Sequence, residues 1–167
     1  MEGKHLGAVC GLYCGACSLY RARHDNNKER LEEILKDMSE RLQVKPEEIN
    51  CDGCLSGGQL MPYCRDCKIR LCAAEKPGVT RCADCPDFPC SLISSFNSDG
   101  VRHHGEVFKN IRRQQKEGID EWLQEEYERW RCQFCGVSLD WYARKCHRCG
   151  TTQPFTIPSL LKDHKGQ

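Results

Sequence analysis

The stretch RCQFCGVSLDWYARKCHRCG, residues 131–150, decides how the chain is to be read. Cys132 and Cys135 form one Cys-x2-Cys pair and Cys146 and Cys149 a second, ten residues apart, with Gly136 and Gly150 directly after them. Two residues between cysteines let a tight turn aim both sulfurs at one point about 2.3 Å away, the bite of a tetrahedral metal. The glycines supply the positive φ that directs backbone amides toward sulfur. Residues 132–152 therefore read as a zinc ribbon. Residues 153–167, with Pro154 and Pro158, read as a tail in which Phe155, Ile157, Leu160 and Leu161 offer apolar contacts.

The same spacing recurs toward the N-terminus in Cys14/Cys17, Cys51/Cys54, Cys64/Cys67 and Cys82/Cys85, while Cys10, Cys72 and Cys90 stand alone. Fifteen cysteines in 167 residues leave three classes open: a secreted disulfide scaffold, a zinc protein or an iron–sulfur protein. The first is disfavoured because Met1 to Val9 has no apolar core of a signal sequence, and no run reaches membrane-spanning length. The expected compartment is a reducing cytoplasm. Spaced knuckle pairs favour zinc over iron, since the compact Cys-x2-Cys-x2-Cys-x3-Cys-Pro run of ferredoxins is missing. Fifteen cysteines and one of His5, His24, His103, His104, His147 or His164 would complete four tetrahedral sites, although each histidine alone reads as solvated.

Ordinary core material is thin, with a mean hydropathy of −0.66. Between Cys51 and Cys90 the large apolar residues are Leu55, Leu60, Met61, Tyr63, Ile69, Leu71, Val79 and Phe88. Their burial falls short of the entropy of ordering forty residues, so this segment requires metal to fold. A formal charge of +1 gives no overall pull toward nucleic acid or anionic lipid. Local basic clusters, Arg21, Arg23, His24, Lys28 and Arg30 and again Arg102, His103, His104, Lys109, Arg112, Arg113 and Lys116, read as solvated helix faces.

Residues 8–20 read as a turn leading into a short helix whose N-terminus addresses the Cys14 to Cys17 thiols and lowers their pKa. Leu31, Ile34, Leu35, Met38 and Leu42 recur on one helical face, capped by Asn26 with Glu29 and ended before Pro46, and this stripe is expected to pack over the cysteine-rich knot. CRDCKIRLC (64–72) and CADCPDFPC (82–90) share Cys-x2-Cys-x4-Cys at an offset of 18 residues, which suggests two similar knuckles. Val107, Phe108 and Ile111, then Ile119, Trp122, Leu123, Tyr127 and Trp130, give two helices broken at Gly118.

Cys10-x3-Cys14-x2-Cys17 is similar to the motif with which radical S-adenosylmethionine enzymes hold a four-iron cluster, but Ala16 replaces the usual aromatic and the chain lacks the βα repeats of their barrel. It is also the three-cysteine group without an obvious fourth partner, Cys51 being one candidate. Ser-His-Asp and phosphate-cradling glycine motifs are missing.

With CGLYCGACSLYRA from Cys10, CDGC at Cys51, CRDCKIRLCA at Cys64 and CADCPDFPC at Cys82, the chain resembles, over about residues 8–96, the cysteine-rich prokaryotic family known as domain of unknown function 3795. Longer members are similar further on, with a helix like GIDEWLQEEYERW followed by a ribbon. The resemblance implies metal binding through these cysteines and no particular activity.

The expected architecture is small α+β and metal-stabilised: a cysteine-rich zinc knot braced by helices (1–98), a helical linker (99–131), the ribbon (132–152) and the tail. Candidate metal ligands are all fifteen cysteines, holding three to four zinc ions. A local grouping puts Cys51, Cys54, Cys64 and Cys67 in one site and Cys72, Cys82, Cys85 and Cys90 in another, and interleaved pairings fit equally well. The expected role is a zinc-stabilised binding or adaptor module, rather than an enzyme, for a protein partner or nucleic acid. The alternative is an iron–sulfur protein with an electron-transfer or redox role.

Overall fold

The computed structural model describes residues 3–153, so the expected tail and His164 fall outside the described residues apart from Gln153. Seven helices carry the fold: α1 (Ser18–His24), α2 (Lys28–Leu42), α3 (Pro62–Arg65), α4 (Lys68–Ala74), α5 (Ser91–Asn97), α6 (Val107–Glu117) and α7 (Ile119–Arg129), joined by short 3-10 turns. Extended pairing among the described residues is confined to the isolated bridges Gly7 to Tyr13, Arg131 to Ser138 and Lys145 to Thr152. The chain is mostly helical, with less sheet than an α+β reading expects. Among the described residues, 3-10 turns interrupt the segments between helices, which pair in isolated bridges instead of strands of ordinary length.

The helical core is built across the sequence. One cluster packs Val107 and Ile111 of α6 on Ala8, Val9, Cys10 and Leu12 of the N-terminal segment and on Ile69, Ala73 and Ile93 of the knot. The second packs Trp122 and Leu123 of α7 and Trp130 on Leu6, Tyr13, Ala16 and Tyr20. The break expected at Gly118 is present, at φ +88°. Segment 107–129, expected as a linker, thus supplies one wall of both cores, and residues 6–20 lie between its two helices and the knot. Full burial of Trp122, Leu6, Ile93 and Ile111 contributes about 1.5–3 kcal/mol each, much more than helical propensity in such short helices.

A buried charge network ties α6 to α7. Glu126, 1% exposed, accepts from Trp130 Nε1 at 2.9 Å and is flanked by Arg113 and Arg129, each at 3.4 Å. Arg129 also makes a two-pronged contact with Glu106 at 2.5 and 2.8 Å. Burial still holds the Glu126 carboxyl above its ordinary range.

Two expectations are corrected. The cap of α2 is Asn27, whose Oδ1 accepts from Arg30 N at 3.0 Å, one position later than Asn26, because Asn26 itself adopts left-handed backbone at φ +53°. The apolar stripe of α2 does not cover the knot: no residue of α2 is buried, and the helix leans on α1 and on the Pro46–Glu48 turn. Arg23 fastens that turn by donating from Nη2 to Ile49 O at 2.7 Å. His103 and His104 are less solvated than their isolation suggests, whereas His24 and His147 are exposed as expected. His103 stacks on Trp141 at 4.0 Å and contacts Tyr142 Oη through Nδ1 at 2.6 Å, while His104 stacks on Phe96 at 3.8 Å and pairs with Asp99.

Candidate metal centres

The C-terminal centre is built by one device used twice. Cys132 N donates to Val137 O at 2.8 Å and Gly136 N to Cys132 O at 2.8 Å; fourteen residues on, Cys146 N donates to Thr151 O and Gly150 N to Cys146 O, both at 2.9 Å. Gly136 and Gly150 close the two turns at φ +72° and +73°. These knuckles bring Cys132, Cys135, Cys146 and Cys149 together with all sulfurs within 4.8 Å of one another, which no other group of three or more histidines, cysteines or carboxylates achieves among the described residues. The Cys132–Cys149 and Cys135–Cys146 separations are both 3.6 Å. Four sulfurs about 2.3 Å from a common centre stand about 3.8 Å apart, so the quartet has the edge length of a tetrahedral thiolate site. Amides of Cys135 and Phe134 pull the Cys132 thiol down to about 6, preparing it as a thiolate.

Cys72, Cys82, Cys85 and Cys90 line a cavity of about 20 Å³ with Ile69, Val79, Phe88 and Ile93, without any three of their sulfurs lying within 4.8 Å of one another. The cavity is little more than one water-sized sphere, too small for a substrate. Burial, followed by the neighbouring Cys90, Cys85 and Cys72, pushes the Cys82 thiol up to about 12. Lys76 supplies an opposing charge, with Nζ 3.4 Å from Cys85 Sγ and 2.5 Å from Asp87. Nothing in the sequence singled out Lys76; only the loop that carries Cys82 and Cys85 back onto α4 reveals it. The repeated spacing of 64–72 and 82–90 does not become a repeated structure. Lys68 begins a helix that carries Cys72, whereas Pro86 and Pro89 keep the second segment out of helix until Cys90 caps α5.

The remaining cysteines pair across the sequence. Residues 7–13 fold back on themselves, with Ala8 N donating to Leu12 O at 2.8 Å, and are tied to the knot by Cys82 N to Val9 O at 2.8 Å and Arg81 Nη2 to Lys4 O at 2.8 Å. This fold-back sets Cys14 against Cys54, whose sulfur also accepts from Val9 N at 3.3 Å. Cys51 pairs with Cys64, and Cys17 lies close enough to both to feel their charge. In each pair one sulfur takes the negative charge: the Cys64 thiol bonds to Cys51 and draws it down to about 6, and the Cys14 thiol bonds to Cys54 and draws it down to about 7. Cys67 is placed toward Cys10 and Cys82 instead. Among the described residues Cys51, Cys54, Cys64 and Cys67 do not form a compact cluster: Cys14 contacts Cys54, Cys64 contacts Cys51, and Cys67 lies near Cys10 and Cys82.

The lowered pKa expected for the N-terminal thiols is reversed. Cys17 does receive bonds from the Tyr20 and Leu19 amides at the start of α1, but burial outweighs them and raises its pKa, and Cys10 is raised by burial as well. No histidine joins a group of clustered ligands among the described residues. No described helix is long and apolar enough to cross a membrane.

The family model described as "Protein of unknown function (DUF3795)" matches residues 6–95, the segment that carries Cys72, Cys82, Cys85 and Cys90 and the cross-paired cysteines. No curated protein and no solved structure matches the chain. By that match over more than half its length, the chain belongs to the DUF3795 family.

Proposed function

We propose that the chain is a zinc-stabilised binding module in which three to four ions, held by the fifteen cysteines, replace a conventional core and present the ribbon and its flanking helices to a macromolecular partner in the cytoplasm. The observation that carries the reading is the tetrahedral edge of 3.6 Å in the 132–149 quartet, supported by the gathering of Cys72, Cys82, Cys85 and Cys90 along one cavity. A third ion belongs with Cys14, Cys17, Cys51, Cys54 and Cys64. The partner class is protein first, given a net charge of +1, and nucleic acid second. An exposed Phe134 at the tip of the first ribbon knuckle gives such a partner an apolar contact.

A second reading, an iron–sulfur protein with a redox role, is supported by the approach of Cys10, Cys14, Cys51 and Cys64 to Cys54, since four cysteines can equally hold a cluster. Elemental analysis of protein purified anaerobically from cells supplied with both metals separates the two. Three to four zinc per chain and no iron support the binding module; iron with equimolar sulfide and charge-transfer absorbance would replace it with the cluster. Capture from native extract with metal intact then tests the adaptor role, which is abandoned if neither protein nor nucleic acid is retained above background.

A further inference from the structure

Residues 151–153 bring two side chains onto the sulfurs of the C-terminal quartet. The segment is fixed against the second knuckle by Gln153 N donating to Arg144 O at 3.0 Å and by the bridge between Thr152 and Lys145. Gln153 reads by sequence as the first residue of the tail, yet it is only 6% exposed, where glutamine is ordinarily a surface residue. Its Nε2 has two hydrogens and two acceptors, Thr151 O at 2.7 Å and Cys132 Sγ at 3.5 Å. Thr151 Oγ1 lies 3.3 Å from Cys149 Sγ, and its hydroxyl is the donor when that sulfur is a thiolate. Cys132 and Cys149 form one 3.6 Å edge of the quartet. The opposite edge, Cys135 and Cys146, receives the Val137 and Arg148 amides and, among the described residues, no side-chain donor from outside the quartet.

We propose that Gln153 and Thr151 are outer residues of the ribbon's metal site, a role that rests on the quartet being a metal centre: they quiet the Cys132–Cys149 edge and leave Cys135 as the reactive sulfur. Four thiolates around a divalent ion leave the site with excess negative charge, and donors aimed at sulfur spread it. A sulfur that gives its electron pair to an electrophile loses the hydrogen bonds made to its charge, so each added donor makes it a weaker nucleophile. The Gln153 bond is buried, and water does not replace it when the amide is removed; the Thr151 bond is exposed, and water takes over part of its work. Gln153 therefore has the larger effect. Of the two sulfurs without a side-chain donor, Cys146 is buried and Cys135 half-buried, which makes Cys135 the first to be reached.

The test uses the full zinc-loaded chain, treated with iodoacetamide at fixed pH, with the rate at each cysteine read from proteolytic peptides by mass spectrometry. In the unaltered chain Cys135 is expected to react ahead of Cys132 and Cys149. Gln153→Met keeps the length of the side chain and removes the donor. It is expected to speed Cys132 by at least about threefold at unchanged zinc content, with Cys135 and Cys146 within about twofold of their former rates. Thr151→Val speeds Cys149 by a smaller factor, and Thr151→Ser, which keeps the hydroxyl, does not. If Gln153 only fills space, Gln153→Met loosens the ribbon and speeds all four sulfurs together; that result, or an unchanged rate at Cys132, overturns the proposal. The quartet's own ion is read separately, as the zinc lost in Cys149→Ser. If none is lost, the quartet is not a metal centre, and the proposal falls for that reason instead.

Discussion

Replacing Gly11 by alanine tests whether α6 really closes over the N-terminal cysteine loop. Gly11 lies at φ +88°, and a Cβ placed on it would meet Ile111 Cγ1 at 2.7 Å and Val107 O at 3.4 Å. Ile111 is 0% exposed and has no free space to yield. Left-handed backbone costs a non-glycine residue about 1–2 kcal/mol. Overpacking a filled core adds about 1–3 kcal/mol. Gly78 separates the two effects, because it has a similar φ of +75° with nothing within 4 Å of the added atom. For a chain of this size 1 kcal/mol moves the thermal midpoint by about 2–4 °C, so Gly78→Ala should lower Tm by about 3–6 °C and Gly11→Ala by roughly twice that. The assay is calorimetric melting at fixed excess zinc. Ile111→Ala removes the clashing atoms, so the double variant Gly11→Ala/Ile111→Ala should lose about 1–3 kcal/mol less than the sum of the single losses. Equal midpoints for Gly11→Ala and Gly78→Ala would refute the packing of α6 on Cys10 and Cys14.

The remaining predictions address charge, pH and metal. Glu126→Gln removes the buried carboxylate between Arg113 and Arg129 and should destabilise the folded chain by about 1–3 kcal/mol in urea unfolding, because Arg113 keeps Glu117 and Glu125 and Arg129 keeps Glu106; an unchanged unfolding free energy would mean that those partners suffice. His103 is pushed down to about 3 by burial and then by its neighbour His104, with Asp99 opposing. Its neutral form is therefore the folded form, and its contribution is present above its unfolded pKa of 6.5 and lost as pH falls toward 3. At pH 5 the loss attributable to this residue is about 2 kcal/mol, read as the extra fall in unfolding free energy between pH 8 and pH 5 compared with His103→Gln. A variant that falls as steeply as the wild type would place the titration elsewhere. Cys149→Ser should lower bound zinc by one ion per chain while leaving the circular-dichroism signal of α6 and α7 in place, and unchanged stoichiometry would remove that sulfur from the site.

The clustering of Cys132, Cys135, Cys146 and Cys149 was legible because its determinants are local. Each knuckle is specified within five residues by two cysteines and a glycine, and the two knuckles lie ten residues apart, so the quartet needs no information from elsewhere in the chain. The break at Gly118 and the apolar faces on either side were legible for the same reason, since helical period and a positive-φ residue are properties of short segments. Cys72, Cys82, Cys85 and Cys90 line one cavity, as neighbours joined by a short loop would.

Only the tertiary structure decided what those segments meet. Period places Val107, Ile111 and Trp122 on apolar faces, but not that those faces close on residues 6–20, because one apolar surface serves as well as another in a binary pattern. The stripe of α2 shows the converse: correct period, but a resting place on α1, since the knot is already covered by α6. Cys14 meets Cys54, and Cys67 turns toward Cys10, through a backbone fold-back and the reach of Arg81 to Lys4 and Gly7, contacts spanning more than seventy residues. Arg21 reads as a surface charge and is buried through the packing of α1. The sequence alone determined which atoms can bind metal and which short turns present them. The assignment of thiols to centres came from packing, because sulfurs of equal chemistry are distinguished only by where the chain brings them.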